Sequence, residues 1–245
     1  MGHMPDAPRL LYQLVSPLHQ TAGPQEVQRR LEMLRAWAPA CRIEIASPET
    51  GPAAVQSAAD IALVFPALRE AAADWQTEGY DAVVLGCFSD PAAEALSEVS
   101  GVPVIGPGEA GILAAIPLGE RFSVLSSDPT PPGLRRRIRG IGVEAMFVSE
   151  ILVSGSVAQL VADPDRHIAD VVAQGKRAVA EGADVLVLGC LAMSFAKGLP
   201  ERLADEVGVP VINPVISGLQ AAQAAVAFRP AATVSNSKSS RSIKP

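Results

Sequence analysis

Aromatic side chains are scarce in this chain: Phe, Trp and Tyr together make up 4% of its 245 residues, while hydrophobic residues make up 49%. Any core is therefore built from Ala, Val, Leu and Ile, which suits parallel sheets covered by helices on both faces. An excess of positive charge is also missing. The net charge is −6, and residues 229–245 carry Arg229, Lys238, Arg241 and Lys244 without a single acid, so the rest of the chain is more acidic still. That balance argues against nucleic acid or an anionic membrane as a partner. No apolar run approaches a membrane span, since Leu10 to Val15 is far too short and is broken by Gln13. Cysteine is limited to Cys41, Cys87 and Cys190. An odd number of thiols with no export signal leads us to expect free cysteines in a reducing cytoplasm. Of the three histidines, His3 falls in Met1 to Met4, which reads as an expression remnant. Neither His19 nor His167 joins a His/Cys/Asp group at ligand spacing, so no metal site is expected.

What the chain does have is a repeat. Gly79 to Cys87 reads GYDAVVLGC and Gly182 to Cys190 reads GADVLVLGC, so the glycine, the aspartate, the apolar run and the Gly-Cys ending fall in register. Downstream, Gly101-Val102-Pro103-Val104-Ile105 returns as Gly208-Val209-Pro210-Val211-Ile212. Pro107 then matches Pro214, Gly111 matches Gly218, and Ala114-Ala115 matches Ala221-Ala222. Two similar supersecondary units follow from such a repeat. Packed about a pseudo-dyad, they would set Cys87 opposite Cys190.

The pattern of each half is β-α-β-α-β-α-β-α, which calls for an α/β fold with a four-stranded parallel sheet per half and right-handed crossovers. The first half offers strands at Arg9–Val15, Cys41–Ala46, the cysteine strand and Val102–Ile105. Its helices are expected at Glu26–Trp37, Val55–Glu78 with a bend at Pro66, Pro91–Val99 and Glu109–Ile116. The second half offers strands at Arg121–Leu125, Val143–Val148, Asp184–Leu188 and Val209–Ile212. Its helices are expected at Gly133–Arg139, Asp165–Glu181 after a loop at Ser154-Gly155-Ser156, Pro200–Val207 and Ile216–Phe228. Asp90-Pro91 reads as the N-cap and first position of a helix.

Both Cys87 and Cys190 follow glycine at the exit of a buried strand, where ligands bind in open α/β sheets. A buried thiol is the plain alternative, and it is the better reading for Cys41, which alternates with Ile43 and Ile45 in mid-strand. Two thiols facing one cavity suit the removal of a proton from one face of a carbon and its return to the other. Backbone N–H groups of Phe88, Ser89, Leu191 and Ala192, in the turns after the cysteines, could hold the enolate oxygen that forms. His19 stands at a strand exit and reads equally as a substrate contact or a surface residue. His167 and the basic run Arg135-Arg136-Arg137 with Arg139 read as solvated. Two readings of another kind remain. Gly106-Pro107-Gly108-Glu109-Ala110-Gly111 matches the G-x-G-x-x-G of NAD-dependent oxidoreductases, although its preceding strand is short and the second half lacks the glycines. A non-catalytic small-molecule sensor with inert thiols is the other.

The segments Gly86-Cys87-Phe88-Ser89-Asp90-Pro91, Gly189-Cys190-Leu191-Ala192-Met193, Gly108-Glu109-Ala110 and Gly208-Val209-Pro210-Val211 resemble the cofactor-independent aspartate/glutamate/hydantoin racemase superfamily, and most of all its hydantoin racemase branch. The likeness covers roughly residues 9–228. It implies two flavodoxin-like lobes with the active site in the cleft, Cys87 and Cys190 as the acid/base pair, and no cofactor. Having both cysteines speaks against the decarboxylases of the superfamily, which keep only the second. By the same resemblance Ser126 and Ser127 contact the substrate's carbonyl or carboxylate, and Pro17 and His19 line the pocket. Ser16-Pro17-Leu18-His19 stands where the branch usually has Asn-Pro-Asn, Leu191-Ala192 where it has Ala-Gly, and Asn213 where an acid is common. The expected substrate is a 5-substituted hydantoin, allantoin included, or alternatively an amino acid such as aspartate or glutamate. A homo-oligomer is compatible with the resemblance. Exchange of terminal helices, by analogy, would put 9–107 and 214–228 in one lobe and 108–213 in the other, with 1–8 and 229–245 disordered.

Overall fold

The structure, a computed structural model, describes residues 7–155, 159 and 164–229; the expected disorder of residues 1–6 and 230–245 lies outside the described residues, as does Ser156 of the expected loop. The strands β1 (Arg9–Gln13), β2 (Arg42–Ala46), β3 (Ala82–Leu85) and β4 (Val104–Ile105) form one sheet in the order β2-β1-β3-β4. The second sheet repeats that order as β6-β5-β7-β8, from β5 (Phe122–Ser126), β6 (Phe147–Leu152), β7 (Val185–Leu188) and β8 (Val211–Ile212). Every pairing is parallel. The fold is thus α/β with two similar lobes. The repeated aspartates explain part of the repeat. Asp81 accepts the N–H of Arg9 at 2.8 Å, and Asp184 accepts those of Glu120 and Arg121 at 2.9 Å, so each fixes the start of its lobe's central strand.

Helices α1 (Leu18–Thr21), α2 (Pro24–Trp37), α3 (Ala58–Ala72), α4 (Ala93–Ser100) and α5 (Pro107–Ala115) belong to the first half. The second half carries α6 (Leu134–Ile141), α7 (Pro164–Ala180), α8 (Leu191–Ser194), α9 (Leu199–Val207) and α10 (Pro214–Ala227). Alternation along the strands sorts the core into three layers. Leu11, Val83 and Leu85 face α3 and α4 on one outer side, and Leu186 and Leu188 face α7 and α9 on the other. Leu10, Tyr12, Val84, Val124, Val185 and Val187 meet in a central core that both lobes share, filled by α2, α5, α6 and α10. There the two closing helices cross over: α5 packs on β7 and α10 on β3. Gly111 lies against Pro214, and its counterpart Gly218 lies against Pro107.

Some boundaries differ from expectation for identifiable reasons. α3 is shorter than Val55–Glu78; Ser57 caps it by accepting the Asp60 N–H at 3.1 Å, and Pro66 sits inside it. The strand expected at Val143–Val148 starts at Phe147, because residues 144–146 form a 3₁₀ turn in which Glu144 pairs with Arg139. Cys41 precedes β2 and packs half-buried against the central core.

Asp90 does not cap α4, which begins at Ala93 behind Ala92 in the left-handed region (φ 56°). With φ at 49°, Asp90 instead directs its carboxylate at the N-terminus of α5, accepting the N–H groups of Gly108 at 2.8 Å and Glu109 at 2.7 Å. Arg137 completes the cluster, donating to Asp90 at 2.6 Å and to the Phe88 carbonyl at 2.7 Å. Two backbone donors and a guanidinium outweigh what one helix-capping bond to α4 would provide.

Candidate active site

Each cysteine leaves its sheet through a glycine that allows a close approach. A Cβ on Gly86 would lie 3.0 Å from the Leu14 Cα, and one on Gly189 would run into Ser126 and Val124. The chain therefore passes tight over the end of the neighbouring central strand before it presents the thiol. Cys190 is the N-cap residue of α8, so its sulfur faces the open N–H groups of Ala192 and Met193. The hydroxyl of Ser127, at the end of β5, also reaches it. Cys87 sits in a turn whose Ser89 offers both its N–H and its hydroxyl to the sulfur.

Both thiols line one cavity of about 120 Å³ at the carboxyl ends of the two sheets. Leu14, Val15, Leu18 and Val55 supply apolar wall, while Ser89, Ser127 and Thr130 supply hydroxyls. Asp128 and the largely buried Arg30 are its charged residues. Burial pushes the Cys87 thiol up to about 11; Ser89 and the charge of Arg137 pull down, and the nearby Asp90 adds to the rise. Burial raises Cys190 too, against the opposing pull of Ser127, the two α8 N–H groups and Arg30. Burial also lifts the Asp90 carboxyl to about 6, despite Arg137 and the α5 N–H groups. A pair of weakly acidic thiols opening into one small space is an arrangement able to act as acid and base on one bound carbon.

The model of the Asp/Glu/Hydantoin racemase family matches residues 21–222. A hydantoin racemase from Pseudomonas sp. strain NS671 is 34% identical over 188 residues, 76% of this chain and 74% of that protein. The chain belongs to the Asp/Glu/hydantoin racemase family. It is an isomerase of the racemase type. Two solved structures share its fold. The allantoin racemase from Pseudomonas fluorescens has a TM-score of 0.73 at 26% identity, covering 89% of this chain and 91% of that one. The allantoin racemase from Klebsiella pneumoniae has a TM-score of 0.76 at 24% identity, covering 90% and 88%.

Within this racemase, Cys87, Cys190, Phe88, Ser89, Ser127, Leu191 and Ala192 all line the cavity, whereas Pro17, His19 and Ser126 are not among its lining residues. The His19 ring bonds Ser47 at 2.9 Å and lies 3.7 Å from Glu49. Ser126 is fully buried and donates to Glu150 at 2.9 Å, beside Thr130, which donates to the same carboxylate. The N–H groups directed at the Cys190 sulfur are those of Ala192 and Met193. Asn213 caps α10 through the Val215 N–H at 3.0 Å and ties it to the Ser194 carbonyl at 3.1 Å. Arg135, Arg136 and Arg139 are exposed as expected, but Arg137 is not a solvated residue; it clamps the Cys87 turn from the second lobe. The first two glycines of the G-x-G-x-x-G segment, Gly106 and Gly108, serve the same clamp. A Cβ at Gly106 would collide with Asp90, and one at Gly108 with the Phe88 carbonyl, so the helix end that a pyrophosphate would need is filled by Asp90. No described helix is long and apolar enough to cross a membrane.

Among the polar cavity residues that the sequence reading did not assign to the site are Arg30, Asp128 and Thr130. The available signal for Arg30 was Glu26 four residues earlier on the same helix face. Such a pair reads equally well as two solvated side chains, and only the fold turns it inward.

Proposed function

We propose that the chain is a cofactor-independent racemase that inverts the stereocentre beside a carbonyl with Cys87 and Cys190 as acid and base, and that its substrates are 5-substituted hydantoins, allantoin included. The observation that carries this reading is the presence of both repeated thiols in the wall of one cavity. One sulfur, as thiolate, takes the C5 proton; the electron pair moves into the C4 carbonyl to give an enolate. The other thiol then delivers a proton to the opposite face of C5, and the two sulfurs exchange protonation states. Each turn converts one enantiomer into the other with no net change in atoms or electrons. The 34% identity to a hydantoin racemase supports this substrate class over a free amino acid. Among the described cavity-lining residues Arg30 is the sole cation and Asp128 the sole carboxylate, a modest set for a zwitterion but ample for a neutral ring.

The test is one enantiopure 5-substituted hydantoin in D₂O with the protein alone. The reading predicts loss of optical rotation, with one deuterium entering C5 of the inverted product. Retained rotation and no deuterium would refute it, and activity on aspartate or glutamate alone would move the substrate class to amino acids.

A further inference from the structure

Arg30 occupies an unusual position for a charged residue. It lies on α2, is 6% exposed, and lines the cavity together with both cysteines. Its Nε donates to Glu26 at 2.8 Å, and its guanidinium carbon stands 4.7 Å from the centroid of the Phe195 ring. Phe195 is itself wedged between Tyr12, at 5.9 Å, and Trp37, at 5.4 Å. Ion pair and aromatic face therefore fix the plane of the guanidinium. Neither of its terminal nitrogens has a protein acceptor among the described residues. Arg30 lines the cavity and its terminal nitrogens are not sealed from solvent, so both are free to donate to a group bound there.

The neighbourhood indicates which group that is. The Arg30 charge reaches Cys190 and also the Tyr12 hydroxyl, which in turn feels Cys87. The Tyr12 hydroxyl is fully buried and has no hydrogen-bond partner among the described residues. Arg30 thus lines the cavity into which both sulfurs open, where negative charge would develop during proton removal. We propose that Arg30 is a catalytic residue whose terminal N–H groups bind the oxygen of the carbonyl next to the reacting carbon and hold it as the enolate forms. This rests on the two-cysteine racemase reading above. Preorganised donors aimed at a developing oxyanion act more strongly in a water-poor site than in solution. Glu26 keeps Arg29 as a second partner, at 2.7 and 2.8 Å, so removing Arg30 leaves that carboxylate paired.

The experiment follows deuterium uptake at C5 and racemisation of one hydantoin by wild type, Arg30→Met and Arg30→Lys across pH 7 to 10, with thermal melting of each protein. Arg30→Met is expected to lower kcat by about 10² to 10³-fold at every pH, with partial recovery on adding methylguanidinium. Arg30→Lys retains a cation but not the fork, keeps the fold if the Met variant loses it, and is expected to lower kcat by at least about tenfold. Wild-type kcat in either variant overturns the proposal. A loss that vanishes at high pH also overturns it, because Arg30 would then act only on thiol ionisation. If wild type itself neither exchanges nor racemises the hydantoin, the two-cysteine reading fails and the role of Arg30 falls with it; a working wild type matched by its variants removes Arg30 alone.

Discussion

Cys87 and Cys190 sit in unlike surroundings. Cys190 faces two helix N–H groups, a hydroxyl and a cation, whereas Cys87 has Ser89 and Arg137 set against Asp90. Both thiols are nonetheless raised by burial, so the resting pair holds its protons at neutral pH. Only a singly ionised pair has one base and one acid. Raising the pH toward the lower of the two pair constants therefore increases the active fraction, and kcat/KM is expected to rise about tenfold per pH unit between pH 7 and 9. A pH–rate profile that is flat or falls over that interval contradicts the burial argument. At this scale the cysteines were legible because the chain states them twice, in the same local pattern. Arg30 was not legible, since a charged residue on an amphipathic helix reads as solvated until the second lobe covers it.

Among elements, the clamp formed by Asp90, Arg137 and the first turn of α5 decides where the Cys87 turn lies. Asp90→Asn keeps an acceptor for one N–H but leaves Arg137 without its counter-charge. We expect a loss of about 2–3 kcal/mol, seen as a melting point lower by roughly 5–10 °C; an unchanged melting point would show that the cluster carries no stability. Gly108→Ala would push a methyl group at the Phe88 carbonyl and to within 2.9 Å of Arg137. The displaced turn should lower kcat at least tenfold while KM changes little, measured by steady-state polarimetry. An equal loss in both constants would place the damage elsewhere. Asp90-Pro91 carried a strong local signal for starting a helix, and the structure overrides it because Arg137 and α5 lie far away in sequence. The strand expected at Val143 moved for a related reason, as Glu144 is held in a turn by Arg139.

Across the whole molecule, the two sheets are separate but their covering helices are not. α5 follows the first sheet and packs on the second, while α10 follows the second and packs on the first. Neither sheet has a complete inner layer without the other half of the chain. Unfolding is therefore expected as a single calorimetric transition, with van't Hoff and calorimetric enthalpies in agreement; two resolved transitions would mean that the lobes are independent. The duplicated strand and its downstream glycines and prolines made the paired sheets legible. The partners of Gly111 and Gly218 were beyond reach, because a contact between symmetry-related segments leaves no local pattern.

The central claim, that one thiol removes the proton and the other replaces it, is tested most directly by Cys87→Ser and Cys190→Ser in D₂O with each enantiomer of a 5-substituted hydantoin. A hydroxyl is too weak an acid to serve as the base, so each variant is predicted to lose racemisation by at least about 10³-fold while melting near the wild-type temperature. Racemisation at the wild-type rate in either variant would contradict it.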